Sequence, residues 1–429
     1  MSDRRVSTMA GGLTGSEILK IAGDIRAMVA EGAEVCNLTV GDFSPAQFRI
    51  PQALEREIVQ ALQAGETNYP PSEGVPTLRK AVGDFYRAWL GLDYPAESIL
   101  ITGGSRPGIY SVYTTLVDPG DTVVYPVPSW NNNHYVHLSG ARGVAVVCPA
   151  EDAFLPTRAL LEPHIRGARL LALNSPLNPS GTAFTAQALG EICDLVLEEN
   201  ARRGPDERPL YVMYDQVYWM LTFDGTEHVN PVSLRPEMRE YTVFVDGISK
   251  AFAATGVRVG WTVGPADVTK RMASVLGHVG AWAPRAEQMA TAKVLEDRAA
   301  IEAYHGEMKI GVQGRLDALY QGIQALGDAG YPVEAIPPMG AIYLSVRFPL
   351  HGWTTPGGAV LAKNDDIRLY LLDAAGLALV PFQAFGMTED TGWFRTSVGA
   401  VSLDEIQALF ARLTPALAAL QPHQRDFVP

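Results

Sequence analysis

Apolar and polar positions follow two different spacings along the middle of this chain. From Ser98 onward, short runs rich in β-branched and aromatic residues are separated by longer segments with the spacing of amphipathic helices. This alternation is typical of a mainly parallel sheet that is covered by helices on both faces. The predicted strands are SILIT, DTVVYPV, GVAVVCP, RLLALNSP, LYVMYDQ and TVFVDG.

The two ends of the chain have a different pattern. A helix is predicted at Ser16–Glu31, with Thr14 or Ser16 as its cap, and the short apolar run VCNLTVGDF follows it. Near the other end, one long connecting helix at Arg285–Leu326 precedes a proline-rich break, IPPMG, and a strand, AIYLSVRF. Further helices are predicted at Pro51–Ala64, Val75–Leu90, Asp365–Ala375 and Leu403–Leu420.

Together these patterns predict an α/β fold. We expect a large domain at residues 49–310, with a mainly parallel sheet sandwiched by helices, and a smaller α+β domain at residues 311–429. The N-terminal segment, residues 1–48, is expected to join the smaller domain, so that both chain ends build it. At 429 residues the chain is long enough for this division.

The composition narrows the class of protein. Hydrophobic residues make up 47% of the chain and charged residues 19%, as in ordinary soluble globular proteins. The 34 basic and 47 acidic residues give a formal net charge of −13, which argues against nucleic acid or an anionic membrane as the main partner. The three cysteines, Cys36, Cys148 and Cys193, are far apart in the sequence, and we find no apolar run of signal-peptide or bilayer length. We therefore expect a cytoplasmic protein in a reducing compartment.

The most informative stretch is VDGISKAFAATGVRVGW, which contains Lys250. The preceding apolar run, Tyr241–Val245, predicts a strand that delivers this lysine to a strand end, where ligands bind in open α/β sheets. Partial desolvation would lower its pKa and make it a candidate for a Schiff base with a carbonyl compound. Ser249 and Arg258 could both contact one phosphate. The alternative is a solvated loop lysine with a surface arginine nearby, which is the commoner situation for a lysine after a strand.

A second candidate is the segment TGGSRPG at Thr102–Gly108, which lies between a predicted strand and a predicted helix. Gly103 and Gly104 allow the backbone to approach an anion, and the helix start supplies free N–H groups. The spacing matches neither a Walker loop nor a dinucleotide fingerprint. A glycine turn that simply enters a helix explains the segment equally well.

Three further segments carry polar or aromatic groups in turns. Trp130 follows two prolines and could stack on a flat heteroaromatic ring, although a core tryptophan is the commoner outcome. His134 and His137 have helical spacing without further ligands, so no metal site is predicted. Asn178, in NSPLNPSG, could donate to a phenolate-like oxygen, or it could belong to a structural turn.

Two charged residues occupy apolar surroundings. Asp215 ends the predicted strand LYVMYD, and a buried carboxylate needs a cation, for which a protonated ring nitrogen would serve. Tyr218, three residues on, could donate a hydrogen bond to another ring substituent. Arg395, in GWFRTSVGA, is suited to a bidentate carboxylate, and the alternative partner is an acidic residue of the protein.

The candidate groups share one ligand chemistry. A Schiff-base lysine, a phosphate cradle, a stacking aromatic ring and a carboxylate for a ring nitrogen are together what pyridoxal 5′-phosphate requires. With these residues, the chain resembles the class I and II aminotransferases, which have the aspartate aminotransferase fold. The resemblance covers nearly the full length, and SKAFAATGVRVG, NSPLNPSG and YDQVY are its most specific motifs.

This resemblance implies a role for each candidate residue. Lys250 would form the Schiff base with the cofactor and move the proton, Asp215 would pair with the ring nitrogen, and Asn178 and Tyr218 would bond the ring oxygen. Trp130 would line both the cofactor and the substrate site. The residues implied around the phosphate are Gly104, Ser105, Arg106, Ser249 and Arg258.

The resemblance also implies a substrate site and a partner. Arg395 would bind the α-carboxylate of the substrate, with Asn178 beside it, and Gly41 would lie on a mobile segment that closes over it. Tyr69, in NYPPSEG, matches a tyrosine that reaches the phosphate of the neighbouring subunit, so a homodimer is implied.

At two places the sequence departs from the family pattern. After Trp130 the chain reads NNNHY, which puts Asn133 at the family position near Asp215 and His134 one residue later. In one branch of bacterial aspartate aminotransferases, a lysine follows the two glycines of the cradle and binds the distal carboxylate of the substrate. Here Ser105 and Arg106 follow those glycines.

The expected reaction is transfer of an amino group from an L-amino acid to a 2-oxo acid. Arg106 favours an acidic donor of the aspartate type, with 2-oxoglutarate as the acceptor. Two alternatives keep the same fold: a β-elimination or other lyase reaction, and an aminotransferase for aromatic donors. A cofactor-binding regulator would need a DNA-binding module, and the sequence contains neither room for one before the first helix nor a basic face.

Overall fold

The computed structural model describes residues 5–13, 15 and 17–422. The strands, in chain order, are β1 (Cys36–Asn37), β2 (Ile99–Thr102), β3 (Thr122–Val127), β4 (Arg142–Val147), β5 (Leu170–Asn174), β6 (Tyr211–Asp215), β7 (Thr242–Gly247), β8 (Gly260–Val263), β9 (Glu334–Ala335), β10 (Tyr343–Arg347), β11 (Leu377–Ala378), β12 (Val380–Pro381) and β13 (Trp393–Ser397).

The α-helices, in chain order, are α1 (Thr8–Gly11), α2 (Glu17–Ala30), α3 (Gln52–Gln63), α4 (Pro76–Leu90), α5 (Ser105–Leu116), α6 (Asn132–Ser139), α7 (Arg158–Ile165), α8 (Ala186–Arg202), α9 (Pro231–Leu234), α10 (Ile248–Ala251), α11 (Ala266–Val279), α12 (Arg285–Glu296), α13 (Arg298–Asp328), α14 (Asn364–Ala375) and α15 (Leu403–Ala418). Among the described residues, no helix combines the length and apolarity needed to cross a membrane.

A seven-stranded sheet with the order β2-β8-β7-β6-β5-β3-β4 forms the larger part of the molecule. Strands β4, β3, β5, β6 and β7 run parallel to one another, and β8 is antiparallel to both of its neighbours. The prediction of a mainly parallel sheet covered by helices is therefore confirmed. The six predicted strands correspond to β2 through β7, whereas β8 was not predicted because it continues the glycine-rich stretch after Lys250.

Apolar side chains cover both faces of this sheet. On β6, Val212 and Tyr214 belong to one apolar cluster, whereas Tyr211 and Met213 belong to a second cluster. Because successive side chains of a strand point to opposite faces, the two clusters lie on opposite sides of the sheet. Strands buried on both faces read as continuous apolar runs, which is the sequence pattern from which they were predicted.

The smaller unit contains residues from both ends of the chain, as predicted. Its antiparallel sheet has the order β12-β13-β10-β9, and a third apolar cluster packs around it. Close to the N-terminus, β1 pairs in parallel with β11, so that Cys36 lies opposite Leu377. The boundary expected between residues 310 and 311 falls inside the continuous helix α13 and stays a prediction.

The helix prediction at Arg285–Leu326 was wrong in one respect. The segment forms two helices, α12 and α13, which are separated at Asp297. The carboxylate of Asp297 accepts a hydrogen bond from the backbone N–H of Ala300 at 3.0 Å, so this residue caps α13 instead of continuing α12. The cap predicted for the first long helix, Thr14 or Ser16, lies outside the described residues.

Candidate active site

Lys250 lies on the short helix α10, directly after β7. Its Nζ atom donates a hydrogen bond to the carbonyl oxygen of Gly41 at 2.6 Å. Burial lowers the pKa of Lys250 to about 8. The carboxylate of Asp42 acts in the opposite direction, and further lowering comes from the positive charges of Arg395, Arg106 and Arg258. At neutral pH this amine is therefore far more often unprotonated than an ordinary lysine, which is the state that attacks a carbonyl carbon.

Asp215 ends β6, and its neighbours in the sheet are Asn174 on β5 and Val245 on β7. The backbone N–H of Val217 donates to Oδ1 of Asp215 at 3.2 Å, and Nδ2 of Asn174 donates to its carbonyl oxygen at 2.8 Å. Burial raises the pKa of the Asp215 carboxyl to about 7. A cation beside this group would lower the pKa and keep the carboxyl ionised, so the position is suited to a protonated ring nitrogen.

The start of helix α5 forms the predicted anion cradle. Gly104 precedes the helix with φ +90°, and the Nη2 atom of Arg258 donates to the carbonyl oxygen of Gly103 at 2.8 Å. A Cβ atom on Gly104 would lie 2.1 Å from Nη2 of Arg258, so a side chain does not fit there. Ser105 and Arg106 are the first two residues of α5, whose unpaired N–H groups favour an anion. Ser249, which directly precedes Lys250, is buried.

Arg106 contacts Trp130. The guanidinium carbon of Arg106 lies 4.5 Å from the centre of the Trp130 ring, a cation–π distance. The arginine is exposed, and its positive charge lowers the pKa of both Lys250 and Arg258. Arg106 thus brings a solvent-accessible cation to the rim of the site.

Arg395 extends from β13 and is 1% exposed. Its Nη2 atom donates to the carbonyl oxygen of Thr39 at 2.6 Å, and Nη1 donates to Oδ1 of Asn178 at 3.2 Å. In the part of the chain that the structure describes, its Nε atom has no hydrogen-bond partner and no acidic side chain forms an ion pair with it. Burial lowers its pKa. A buried guanidinium with a free N–H suits a carboxylate ligand, and the alternative of an acidic protein partner is not supported.

Tyr343, on β10, is a site residue that the sequence did not reveal. Its hydroxyl lies 2.5 Å from the hydroxyl of Tyr218, and its ring lies 4.7 Å from the guanidinium carbon of Arg395. A Cβ atom on Gly41 would come within 2.9 Å of the Tyr343 hydroxyl and 3.3 Å of Nη1 of Arg395, which explains the glycine. The only sequence signal was an aromatic residue in the strand AIYLSVRF, and strands commonly contain one.

Two of the positions singled out in the sequence are exposed. Tyr69 is 81% exposed, and its ring packs edge-on against Trp282 with 5.4 Å between the ring centres. Asn133, which the resemblance puts at the family position near Asp215, is exposed. Helix α6 begins at Asn132, and its spacing turns Asn132 and Tyr135 inward and Asn133 outward.

The two histidines that follow lie on the same helix, α6. The Nε2 atom of His137 lies 2.7 Å from the carbonyl oxygen of Met9, and His134 is half-buried. No group of three or more His, Cys, Asp or Glu residues within the described ranges could hold a metal ion.

The cradle geometry leads to a first prediction. In Gly104→Ala, the alanine must adopt the positive φ of Gly104, and its methyl group must displace the guanidinium of Arg258. We expect this to cost about 1–3 kcal/mol. We expect the dissociation constant for pyridoxal 5′-phosphate to rise roughly 5- to 150-fold. Fluorescence titration of the apoprotein measures this constant. Gly256→Ala is the matched control, because its Cβ atom meets nothing within 4 Å. Equal losses for pyridoxal 5′-phosphate and for pyridoxal, which has no phosphate, would contradict the cradle assignment.

The pKa of Lys250 leads to a second prediction. Because only the unprotonated amine reacts with an acylating reagent, labelling of Lys250 should reach half of its maximum near its pKa of about 8. Lys80 is an internal control, since its hydrogen bond to Asp84 raises its pKa above the ordinary 10.5. Competitive labelling of the apoprotein across pH, followed by peptide mass spectrometry, reports both residues in one sample. If Lys250 and Lys80 gained reactivity over the same pH range, the lowered pKa of Lys250 would be refuted.

Comparison with known proteins agrees with this geometry. The family model for aminotransferase class I and II matches residues 33–413. An aspartate aminotransferase of Rhizobium meliloti is 31% identical over 404 residues, which cover 94% of this chain and 93% of the relative. The crystal structure of the aspartate aminotransferase from Rhizobium meliloti matches with a TM-score of 0.88 and 28% identity, over 97% of this chain and 99% of that one. An aromatic aminotransferase structure from Pyrococcus horikoshii matches with a TM-score of 0.79 and 26% identity, over 92% of this chain and 98% of that one. The chain is a member of the class I and II aminotransferase family.

Proposed function

We propose that this aminotransferase moves the amino group of an acidic L-amino acid of the aspartate type to a 2-oxo acid, with 2-oxoglutarate as the acceptor. The observation that carries the proposal is the position of Lys250. An amine with a pKa of about 8 lies near Asp215 and the charges of Arg395, Arg258 and Arg106, at the edge where the parallel strands end.

Pyridoxal 5′-phosphate fits the residues of the site. The cradle at Gly104 has no room for a side chain, the Asp215 carboxyl has a raised pKa, and Nε of Arg395 has no partner in the described chain. When bound, the cofactor supplies an electron sink for the carbanion and carries the amino group between the two half-reactions. The residues that would hold it are Trp130, Asn178, Asp215, Tyr218 and Lys250, with Gly104, Ser105, Arg106, Ser249 and Arg258 at the phosphate.

Each charged residue has a separate task in this reaction. Arg395 binds the α-carboxylate of the donor, and Asn178 fixes the direction of the guanidinium through their 3.2 Å hydrogen bond. Lys250 takes and returns a proton at Nζ, which a pKa of about 8 allows near neutral pH. A cation beside Asp215 keeps its carboxyl ionised, so this residue orients a ring that places a protonated nitrogen there.

The preference for an acidic donor depends on Arg106. Its guanidinium carbon lies over the Trp130 ring, and the N–H groups of the guanidinium can bind a second carboxylate. Several relatives carry the name aspartate aminotransferase, which also favours this donor. Aromatic donors are the second candidate, since the rings of Tyr343 and Phe385 lie 4.7 and 4.9 Å from the guanidinium carbon of Arg395.

A homodimer belongs to the same proposal. Tyr69 is exposed while its ring packs on Trp282, whose carbonyl oxygen would lie 3.1 Å from a Cβ atom on Gly103 of the cradle. The tyrosine therefore projects from the surface close to the phosphate cradle. In a symmetric dimer, such a side chain can reach the cradle of the partner subunit.

The third prediction tests the reaction itself. The holoenzyme should produce glutamate from 2-oxoglutarate with aspartate as the donor, measured by coupled assay. Lys250→Ala should lower kcat by about 10²–10⁴-fold or more, because the proton carrier is lost. Lys80→Ala is the control, since Lys80 is an exposed partner of Asp84 and should leave kcat unchanged. Retained activity in Lys250→Ala would refute the proposal, and pyruvate with ammonia from a β-substituted donor without an acceptor would indicate a lyase instead.

The fourth prediction concerns the choice of donor. In Arg106→Leu, one charge-assisted hydrogen bond to the distal carboxylate is lost, worth about 1.5–3 kcal/mol. We expect kcat/KM for aspartate to fall by roughly 10- to 150-fold, and that for phenylalanine to stay within about two-fold. Steady-state kinetics at saturating cofactor separate this effect from a loss of cofactor. A parallel fall for both donors would assign Arg106 to the cofactor alone.

A further inference from the structure

A buried carboxylate outside the proposed site lies four residues before Lys250. Asp246, on β7, is 1% exposed, and its Oδ2 atom accepts hydrogen bonds from the Tyr86 hydroxyl at 3.0 Å and from Nε1 of Trp219 at 2.9 Å. Its Oδ1 atom accepts from the backbone N–H of Gly247 at 2.7 Å. Burial raises the pKa of Asp246 to about 7, and the three donors are all neutral. Burial of an ionisable carboxyl group without a charged partner is costly.

The hydrogen bonds continue from Asp246 to the neighbouring strands. The Tyr86 hydroxyl also accepts from Nε1 of Trp261 at 3.2 Å and from Nε2 of Gln216 at 3.2 Å. Nε2 of His228 lies 3.2 Å from Oε1 of Gln216. We call Asp246, Tyr86, Trp219, Gln216 and Trp261 the back-face network; all five are buried.

Three strands, β6, β7 and β8, carry or adjoin both a proposed cofactor residue and a member of this network. Gln216 directly follows Asp215, and Trp219 directly follows Tyr218. The remaining pairs are Asp246 with Lys250 and Trp261 with Arg258, which lie four and three residues apart. The helix α4 contributes Tyr86, whose hydroxyl is the point where the bonds from β7, β8 and the end of β6 meet.

The network and the carboxyl group of Asp215 lie on opposite faces of the sheet. On β7, Val243 and Val245 belong to one apolar cluster, and Phe244 belongs to the other. Asp246 lies two residues after Phe244, so its side chain points to the same face of the sheet, where Tyr86 and Trp261 are buried. Asp215 lies two residues after Met213, whose side chain belongs to the apolar cluster on the other face.

We propose that Asp246 is a positioning residue of the cofactor site, which holds the ends of β6, β7 and β8 in register from the opposite face of the sheet. This inference rests on the proposed function, because it concerns the same cofactor. Both carboxylate oxygens of Asp246 accept hydrogen bonds, Oδ2 from the Tyr86 hydroxyl and Oδ1 from the N–H of Gly247. An asparagine offers only one acceptor oxygen, so it leaves either Gly247 or the pair of Tyr86 and Trp219 facing an amide N–H.

The experiment compares four variants of the full-length chain. Asp246→Ala removes both acceptors, Asp246→Asn keeps one, and Tyr86→Phe removes the shared hydroxyl. Glu199→Ala is the matched control, since Glu199, on helix α8, is also a buried carboxylate. It accepts hydrogen bonds from Nη2 of Arg203 at 3.0 Å and from the N–H of Gly167 at 3.1 Å. The dissociation constant for pyridoxal 5′-phosphate is measured by titration of each apoprotein, and the Tm of each apoprotein is measured in parallel.

We expect Asp246→Ala to raise this dissociation constant by about 10- to 100-fold, as a small misplacement of contact groups does. The dissociation constants of Asp246→Asn and Tyr86→Phe should lie between those of Asp246→Ala and the wild type. Glu199→Ala should lower the Tm and leave the dissociation constant unchanged. If Asp246→Ala does not fold, the other two variants decide by the same measurement.

Three other outcomes can be told apart. Folded Asp246 and Tyr86 variants that bind the cofactor with wild-type affinity would overturn the positioning role and leave the proposed function intact. A wild-type apoprotein that does not bind pyridoxal 5′-phosphate at all would instead overturn the proposed function. A rise in the dissociation constant in Glu199→Ala equal to that in Asp246→Ala would reduce the effect to general destabilisation and also overturn the positioning role.

Discussion

Burial of charged groups at one edge of the sheet is the constraint on which the site depends. Desolvation disfavours the charged form of every ionisable side chain, and here it lowers the pKa of Lys250 and Arg395 and raises that of Asp215. The protein leaves these shifts largely uncompensated, since Arg395 contacts carbonyl and amide oxygens instead of an acid. A ligand that carries a carboxylate and a protonated ring nitrogen in the matching places relieves these costs, so the site selects for that charge pattern.

Close approach of the backbone is the second condition. The segment with Gly41 packs against Arg395 and Tyr343 at distances that exclude a Cβ atom, and Gly104 does the same against Arg258. Both arginines donate to main-chain carbonyl oxygens of these glycine-containing segments. Because those bonds fix the guanidinium planes before a ligand arrives, little side-chain entropy remains to be lost on binding.

Many of the strands and candidate site residues were predicted from the sequence because the signals for them are local. The apolar runs of β2 to β7 and the short motifs around Lys250, Asp215 and Arg258 each lie within one element and its following turn. What was missed depends on contacts between distant parts of the chain or on the register of a helix. The cap of α13 is an exception, because Asp297 bonds to Ala300 three residues on and interrupts a continuous helical pattern. Tyr343 meets Tyr218 although the two are far apart in the chain, and Asn133 faces outward because α6 starts at Asn132. Neither periodicity nor composition predicts these last two features.

The two arginines nearest the proposed substrate differ in burial, and this difference separates two kinds of recognition. Arg395 is almost fully buried and fixed by hydrogen bonds to Thr39 and Asn178, which suits the α-carboxylate that every amino acid shares. Arg106 is exposed, and the contact that the structure gives its guanidinium is with the face of Trp130. A stacked guanidinium can slide on a ring face at small energetic cost, whereas a buried one with fixed bonds cannot move without leaving acceptors unpaired. In the proposed reaction, binding of the common group is therefore rigid, and discrimination among donors is assigned to a residue whose replacement leaves the core unchanged.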